Sequence, residues 1–385
     1  MSVEFQLDHQ DHHKVEDFLA RGVSGVGAIS LHPKVAASQQ QAAAEAAIAA
    51  GIDVLYDPRT ERLEHAGHGL NGLPGYTGTP YDVDELAVNL SRRQTLVDAV
   101  VAAHPDFVTV VTPPHFYVGD MRGGRLNLAL AEAAKLATDK PVRPVLMLKS
   151  RFDIEDTRTL AREYADAGVS QLDLRFTPLG GEGDGIPKIR TAFKIADIFR
   201  AAGLRVLLGR SGNIGQAAFA LGHVDGYSVG IGQMEHVSHA TDISRQKRPP
   251  TVDEDGNKKG GVWQGVYLPG LAATVSMKRA RQLLENSDVR TRLGCRIDGC
   301  ANSLVGPLVD YRSHYLHSRA SDVARLLQTP RDWRPKLETD RLRRALELRE
   351  LVNERYRAPE SSALATRTLK SLLDGIEEER ATSVA

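Results

Sequence analysis

The residues with the narrowest chemical use lie in the last third of the chain. Its only two cysteines fall in LGCRIDGCANS and two histidines follow in YRSHYLHSR, which gives Cys295-x4-Cys300-x13-His314-x2-His317. Thiolates and imidazoles at this spacing suit tetrahedral zinc. The cysteines flank an Asp-Gly turn, as in a metal knuckle. The histidines, three apart on an expected helix, project to one side. Four protein ligands fill the coordination sphere, so the expected zinc is structural. The other reading is two buried thiols beside two surface histidines.

A second set of polar residues follows a series of apolar runs: His32; Asp57 and Arg59; His115 and Tyr117; Lys149 and Arg151; Asp173 and Arg175; Arg210 and Ser211; Gln233 and Glu235. Asp57 and Asp173 are the expected catalytic carboxylates. A carboxylate at the end of an apolar strand can act as base, nucleophile or base-reading acceptor. Asp57 in LYDPRTERL also fits a plain Asp-Pro turn. Asp173 and Arg175 alternate with Leu172 and Leu174, so they share one strand face; if that face is internal they must satisfy each other or a ligand. His115, Lys149, Arg175, Gln233 and Glu235 are expected to touch substrate, and a desolvated Lys149 could form a Schiff base.

The segment LLGRSGNIGQAAFALGHVDGYSVGIG (207–232) adds an anion-binding pattern. Glycines let backbone approach a ligand, and a helix N-terminus favours negative charge. Gly209, Arg210, Ser211, Gly212 and Gly232 are the expected phosphate contacts. Tight strand-to-helix turns would need the same glycines for geometry alone.

The elements that must carry these residues repeat. Short β-branched runs at 25–31, 52–57, 105–112, 142–149, 169–176, 204–209 and 224–232, with a weaker one at 262–268, alternate with Ala/Leu-rich stretches such as 38–51, 84–104 and 156–168. Continuous apolar strands alternating with amphipathic helices mean a parallel sheet covered by helices. Eight units predict an α/β fold of the TIM-type (β/α)8 barrel class, whose sites lie at the carboxyl ends of the strands. The Gly-rich dinucleotide turn of a doubly wound sheet is missing after the first run. The expected division is a barrel over 1–290, with a polar insertion near 244–261, and a helical extension over 291–385 carrying the Cys/His knuckle.

Composition sets outer limits. The chain has 385 residues, 42% of them hydrophobic and 25% charged, with zero net charge. Nothing in that balance pulls toward nucleic acid or membrane as a whole, and no apolar run is long enough to span a bilayer. A polar N-terminus and two cysteines lead to the expectation of a cytoplasmic protein without a disulfide framework.

On these motifs, residues 204–330 resemble the tRNA-guanine transglycosylase superfamily, whose members include relatives that insert deazaguanines into DNA. The likeness rests on a barrel, the loose V-G-x-x-x-E pattern of VGIGQME (229–235), and a Cys/His knuckle running into a helix with Arg and His. It implies a structural zinc and exchange of a purine-type base in nucleic acid. The family has three closely spaced cysteines and one histidine; here there are two of each. The family's nucleophilic Asp on a late strand has no counterpart, since Asp242, Asp253 and Asp255 lie in the polar insertion. Asp57 and Asp173 are paired carboxylates by barrel position only.

Three functions compete. A transglycosylase-like enzyme would need a local basic face, for which Arg319, Arg325, Arg331, Arg334, Lys336 and Arg341–Arg344 are candidates. A barrel enzyme for a small phosphorylated metabolite or nucleotide would use the Gly209–Gly215 turn. An assembly protein would use its helical end to join copies of itself as a homo-oligomer, or other partners.

Overall fold

The computed structural model describes residues 2–179, 184–249, 265–295, 297, 300, 306–357 and 362–384. The first half alternates strand and helix: β1 (Val3–Gln6), α1 (Val15–Leu19), β2 (Val26–Leu31), α2 (Ala37–Ala49), β3 (Asp53–Tyr56), α3 (Val83–Val88), α4 (Leu90–Ala102), β4 (Tyr117–Val118) and α5 (Met121–Ala137). The alternation continues through β5 (Val145–Lys149), α6 (Ile154–Asp166), β6 (Gln171–Thr177), α7 (Ile186–Ala201), β7 (Arg205–Leu208), α8 (Gly212–Leu221), β8 (Gly226–Gly230) and α9 (His239–Gln246).

All pairings in this sheet are parallel, in the order β3-β2-β1-β8-β7-β6-β5-β4. Two further parallel bridges, Leu55 to Val110 and Val111 to Val142, join the β3 edge to the β5 side. The sheet therefore curls on itself, and the fold is an α/β barrel of the TIM type. Helix α6 shows how the layers form. Asp153 accepts hydrogen bonds from the amides of Glu155 and Asp156, and Thr157, Leu160, Ala161 and Tyr164 then recur on one buried face. Burying a side chain such as Leu160 contributes about 1.5–3 kcal/mol.

The strand count corrects the sequence reading at both ends and in the middle, where the run expected at 105–112 yields only the bridge residues Val110 and Val111 and β4 falls later, at Tyr117–Val118. The first strand is VEFQ, which has no run of apolar residues. Val3 and Phe5 pack outward in the main core, while Glu4 and Gln6 face the barrel interior, where a guanidinium and a hydroxyl await them. The apolar run at 262–268 is not a barrel strand. Its described part, β9 (Gly265–Leu268), pairs antiparallel with β10 (Ala273–Ser276) as a hairpin. Most of the polar insertion expected near 244–261 lies outside the described residues, apart from its start in α9.

After the hairpin come α10 (Met277–Glu285), α11 (Ser287–Leu293), α12 (Gly306–Val309), α13 (Tyr311–Gln328), α14 (Arg334–Arg355) and α15 (Arg367–Val384). The hairpin, α10, α11 and the far end of α14 share a small core that includes Val266, Leu268, Leu283, Val289, Leu293 and Val352. The boundary expected at 290 falls inside this core. Tyr315, Leu316 and Ala320 of α13, Leu342 of α14 and Leu372 of α15 return to the main barrel core.

Candidate active site and Cys/His cluster

Strand register places a polar network inside the barrel. Residues paired across parallel strands face the same side, so Asp173, Arg175 and Thr177 of β6 share a face with Val145, Met147 and Lys149 of β5. The Arg175 guanidinium donates from Nε and Nη2 to Asp173 Oδ2 (3.0 and 2.8 Å) and from Nη1 to Asp57 Oδ2 (3.0 Å). Below it, Arg143 makes a two-pronged bond to Glu4 (2.6 and 2.7 Å). These buried charges are paired, as burial in low dielectric demands. Burial raises the Asp57 carboxyl, but the Arg175 guanidinium, with Arg59 and Arg210 beyond it, outweighs this and holds Asp57 well below the usual carboxylate range.

Gly209 has a packing role that replaces the expected ligand role. A Cβ there would lie 2.2 Å from Asp173 Oδ1 and 2.6 Å from Arg175 Cγ, and its amide already donates to Leu174 O at 2.9 Å. Ser211 is also occupied: its amide donates to Ser228 O and its hydroxyl to Leu208 O. The Arg210 amide goes to Ser228 Oγ at 2.9 Å. What remains for an anion is the Arg210 side chain, the N-terminus of α8 at Gly212, and Gly232, around which a Cβ would meet open space.

Arg210 is 7% exposed, and its Nε donates to Gln6 Oε1. Among the described residues neither Arg210 nor Arg59 makes an ion pair. Burial, then the neighbouring charges of Arg59 and Arg175, push the Arg210 guanidinium down to about 10. Both arginines take left-handed backbone angles directly after strand ends (φ 54° at Arg59, 47° at Arg210). Non-glycine residues hold such angles at a cost and cluster at functional sites.

Beside this cationic side lies a cluster that sequence reasoning only half found. Asp57, Glu61 and His115 are all buried, and one ligand atom from each falls within 4.8 Å of the others. Glu61 was missed because it sits in a 3-10 turn (Thr60–Arg62) that polar residues alone do not announce; a second acid one turn beyond Asp57 in DPRTERL was the available clue. Thr60 fastens the two loops, its hydroxyl donating to His115 O (2.8 Å) and accepting from His115 N (2.7 Å).

The other expected substrate contacts scatter. Lys149 is exposed at the end of β5, so the desolvation that would activate it as a Schiff-base amine is missing. Glu235 turns away from the mouth and accepts from Tyr315 Oη and Arg319 Nη2 of α13. The Gln233 side chain lies outside the described residues.

The knuckle residues do meet. Cys295, Cys300, His314 and His317 are buried, and their ligand atoms lie within 4.8 Å of one another. Cys300 Sγ is 3.3 Å from His314 Nδ1, and Cys295 Sγ is 3.3 Å from His317 Nε2. A tetrahedral zinc with bonds of about 2.0–2.3 Å sets its ligand atoms at comparable separations. His314 Nε2 donates to Tyr267 O at 2.6 Å, which turns the lone pair of Nδ1 toward Cys300. The donor set thus fits zinc in chemistry and orientation.

No family model matches the sequence, and no curated protein matches it. Among solved structures the chain is similar to KGPDC from Streptococcus mutans, at 15% identity over 64% of this chain and 98% of that one, with a TM-score of 0.34. It is also similar to 3-hexulose-6-phosphate synthase from Salmonella typhimurium, at 18% identity over 64% and 97% of the two chains, with a TM-score of 0.32. Likenesses this shallow leave the fold assignment to rest on the strand order itself.

Proposed function

We propose that the chain is a barrel enzyme acting on a phosphorylated small metabolite or nucleotide held at the carboxyl ends of the strands. The observation that carries this reading is Arg210: a buried guanidinium without an ionic partner among the described residues, facing Arg59 at the N-terminal edge of α8. A bound anion would neutralise both arginines and take the favourable end of the helix dipole. The Asp57–Glu61–His115 cluster stands next to that anion position, where it can handle protons or a cation at the reacting end. Lys149, on the inward register and exposed, is a further substrate contact. Arg175 and Asp173 then fix Asp57 from behind.

The test is thermal stabilisation by a panel of phosphorylated ligands, from inorganic phosphate to sugar phosphates and nucleotides. A ligand at one hundred times its Kd stabilises by about 2.7 kcal/mol. At least one compound should raise the Tm of wild type, and Arg210→Met should weaken that compound tenfold or more. A panel without effect on wild type would reject this reading.

A second reading, base exchange in nucleic acid, is favoured by the Cys/His cluster. Its zinc would be structural, with Cys295, Cys300, His314 and His317 as ligands; the metal would hold the hairpin against α13. The basic face it requires is narrower than the sequence suggests. Arg319 is fully buried and Arg341 nearly so, which leaves Arg325, Arg331, Lys336, Arg343 and Arg344 exposed. Binding to a structured RNA or duplex DNA with a steep salt slope would support this reading over the first.

A further inference from the structure

We propose that Asp57, Glu61 and His115 bind one divalent metal ion at the mouth of the barrel. This goes beyond the substrate reading above and requires no particular substrate. His115 Nδ1 lies 3.2 Å from Pro113 O. A carbonyl oxygen only accepts, so Nδ1 carries the hydrogen, and Nε2 is the nitrogen that can offer a lone pair to a metal. Nε2 lies 3.3 Å from Glu61 Oε2. Both atoms are buried and neither has a hydrogen-bond partner. Two buried acceptors pointed at each other, with Asp57 beside them, require a positive centre among them.

The frame around these donors is built in advance. Thr60 ties the His115 backbone to the turn that carries Glu61. The Arg59 amide donates to Asp57 Oδ1 at 3.1 Å, and Arg175 fixes Oδ2. Each Asp57 oxygen keeps a lone pair. Two carboxylates and one imidazole suit Mn²⁺, Fe²⁺ or Zn²⁺, and three protein ligands leave positions open for water or a substrate oxygen. Two other groupings nearby, Asp8–His9–His32 and Glu64–His65–His239, each contain exposed or half-buried members that water can satisfy.

The experiment is a Mn²⁺ titration of the full-length, chelator-treated and dialysed protein, followed by electron paramagnetic resonance. Mn²⁺ prefers oxygen and imidazole donors, so the thiolate cluster does not compete. One Mn²⁺ per chain is expected to leave the free-ion signal, with imidazole nitrogen coupling from a single histidine in pulsed spectra of wild type. Glu61→Gln and His115→Gln should each weaken binding tenfold or more, whereas Cys295→Ser should not. Absence of Mn²⁺ binding at millimolar concentration, wild-type spectra without a histidine nitrogen, or folded variants that bind as tightly as wild type would overturn the proposal. No phosphorylated compound enters this titration, so its failure is separate from failure of the ligand panel.

Discussion

The barrel interior and the Cys/His cluster solve the same problem in opposite ways. Both bury groups that water would otherwise satisfy. Inside the barrel, Asp57, Arg175 and Asp173, and separately Glu4 and Arg143, neutralise one another across strands whose register fixes their height. At the knuckle, two thiols and two imidazoles converge from a turn and a helix. The first arrangement is held by ion pairs within the polypeptide. The second is a set of donors whose spacing fits an ion. The cluster at the mouth is intermediate: Asp57 is paired, while Glu61 and His115 share an unfilled gap.

The strongest test of that contrast is metal removal. Structural zinc contributes an apparent 10–16 kcal/mol or so to small zinc modules. Wild type should carry one zinc in the knuckle, and the Cys295→Ser/Cys300→Ser double variant should lose it together with more than about 5 kcal/mol of stability in the hairpin region. Elemental analysis and hydrogen exchange over β9 to α11 check this; unchanged exchange would erase the difference between the two regions. Next in size, Arg175→Met should cost about 3–5 kcal/mol in urea denaturation, because it strands two buried carboxylates. The triple variant Arg175→Met/Asp57→Asn/Asp173→Asn should recover part of that loss, since nothing charged is left unpaired. Gly209→Ala should cost about 1–3 kcal/mol by forcing a methyl group into the Asp173–Arg175 pair.

Acid should separate the regions most gently. Zinc ligands must be deprotonated, so protons compete with the metal and its affinity falls steadily as pH is lowered, before the carboxylates protonate. Asp57 sits below the usual carboxylate range in the folded state, so its contribution is present above about pH 4 and is lost only as pH falls below that. A zinc-sensitive dye should therefore respond at higher pH than the loss of barrel circular dichroism. Coincident transitions would mean that the two regions unfold as one.

Six barrel strands, β2, β3 and β5 to β8, were legible because their outward residues are apolar and pack under helices; β4 was not, since it is two residues long and follows the expected run at 105–112. The first was not, because a four-residue strand with Glu4 and Gln6 facing inward has no apolar run to detect. The run at 262–268 misled for the converse reason: β9 is apolar on both faces because Val266 and Leu268 pack in the hairpin core while Tyr267 packs in the main barrel core. At the site, sequence spacing located Asp57 and Arg210, which follow strands, Asp173 and Arg175, which share one face of β6, and His115, which follows the bridge residues Val110 and Val111. It could not say that Glu235 would be drawn to Arg319, or that the amides of Gly209 and Ser211 would be spent on neighbouring strands. Those outcomes depend on contacts between residues up to 84 positions apart.

The place of β1 between β2 and β8 also dictates an order of assembly. Val3 to Gln6 lie in register with Tyr227 to Gly230, so the last strand pairing of the barrel joins the two most distant strands in the chain. Contacts of such sequence separation form late, after the entropy of closing the intervening loop has been overcome. During synthesis the N-terminal strand leaves the ribosome with one edge bare and waits until β8 emerges. A fragment ending before residue 226 keeps that edge permanently open, and an open strand edge is a template for aggregation. Circular permutation that places β1 directly after β8 would turn this longest wait into the shortest one.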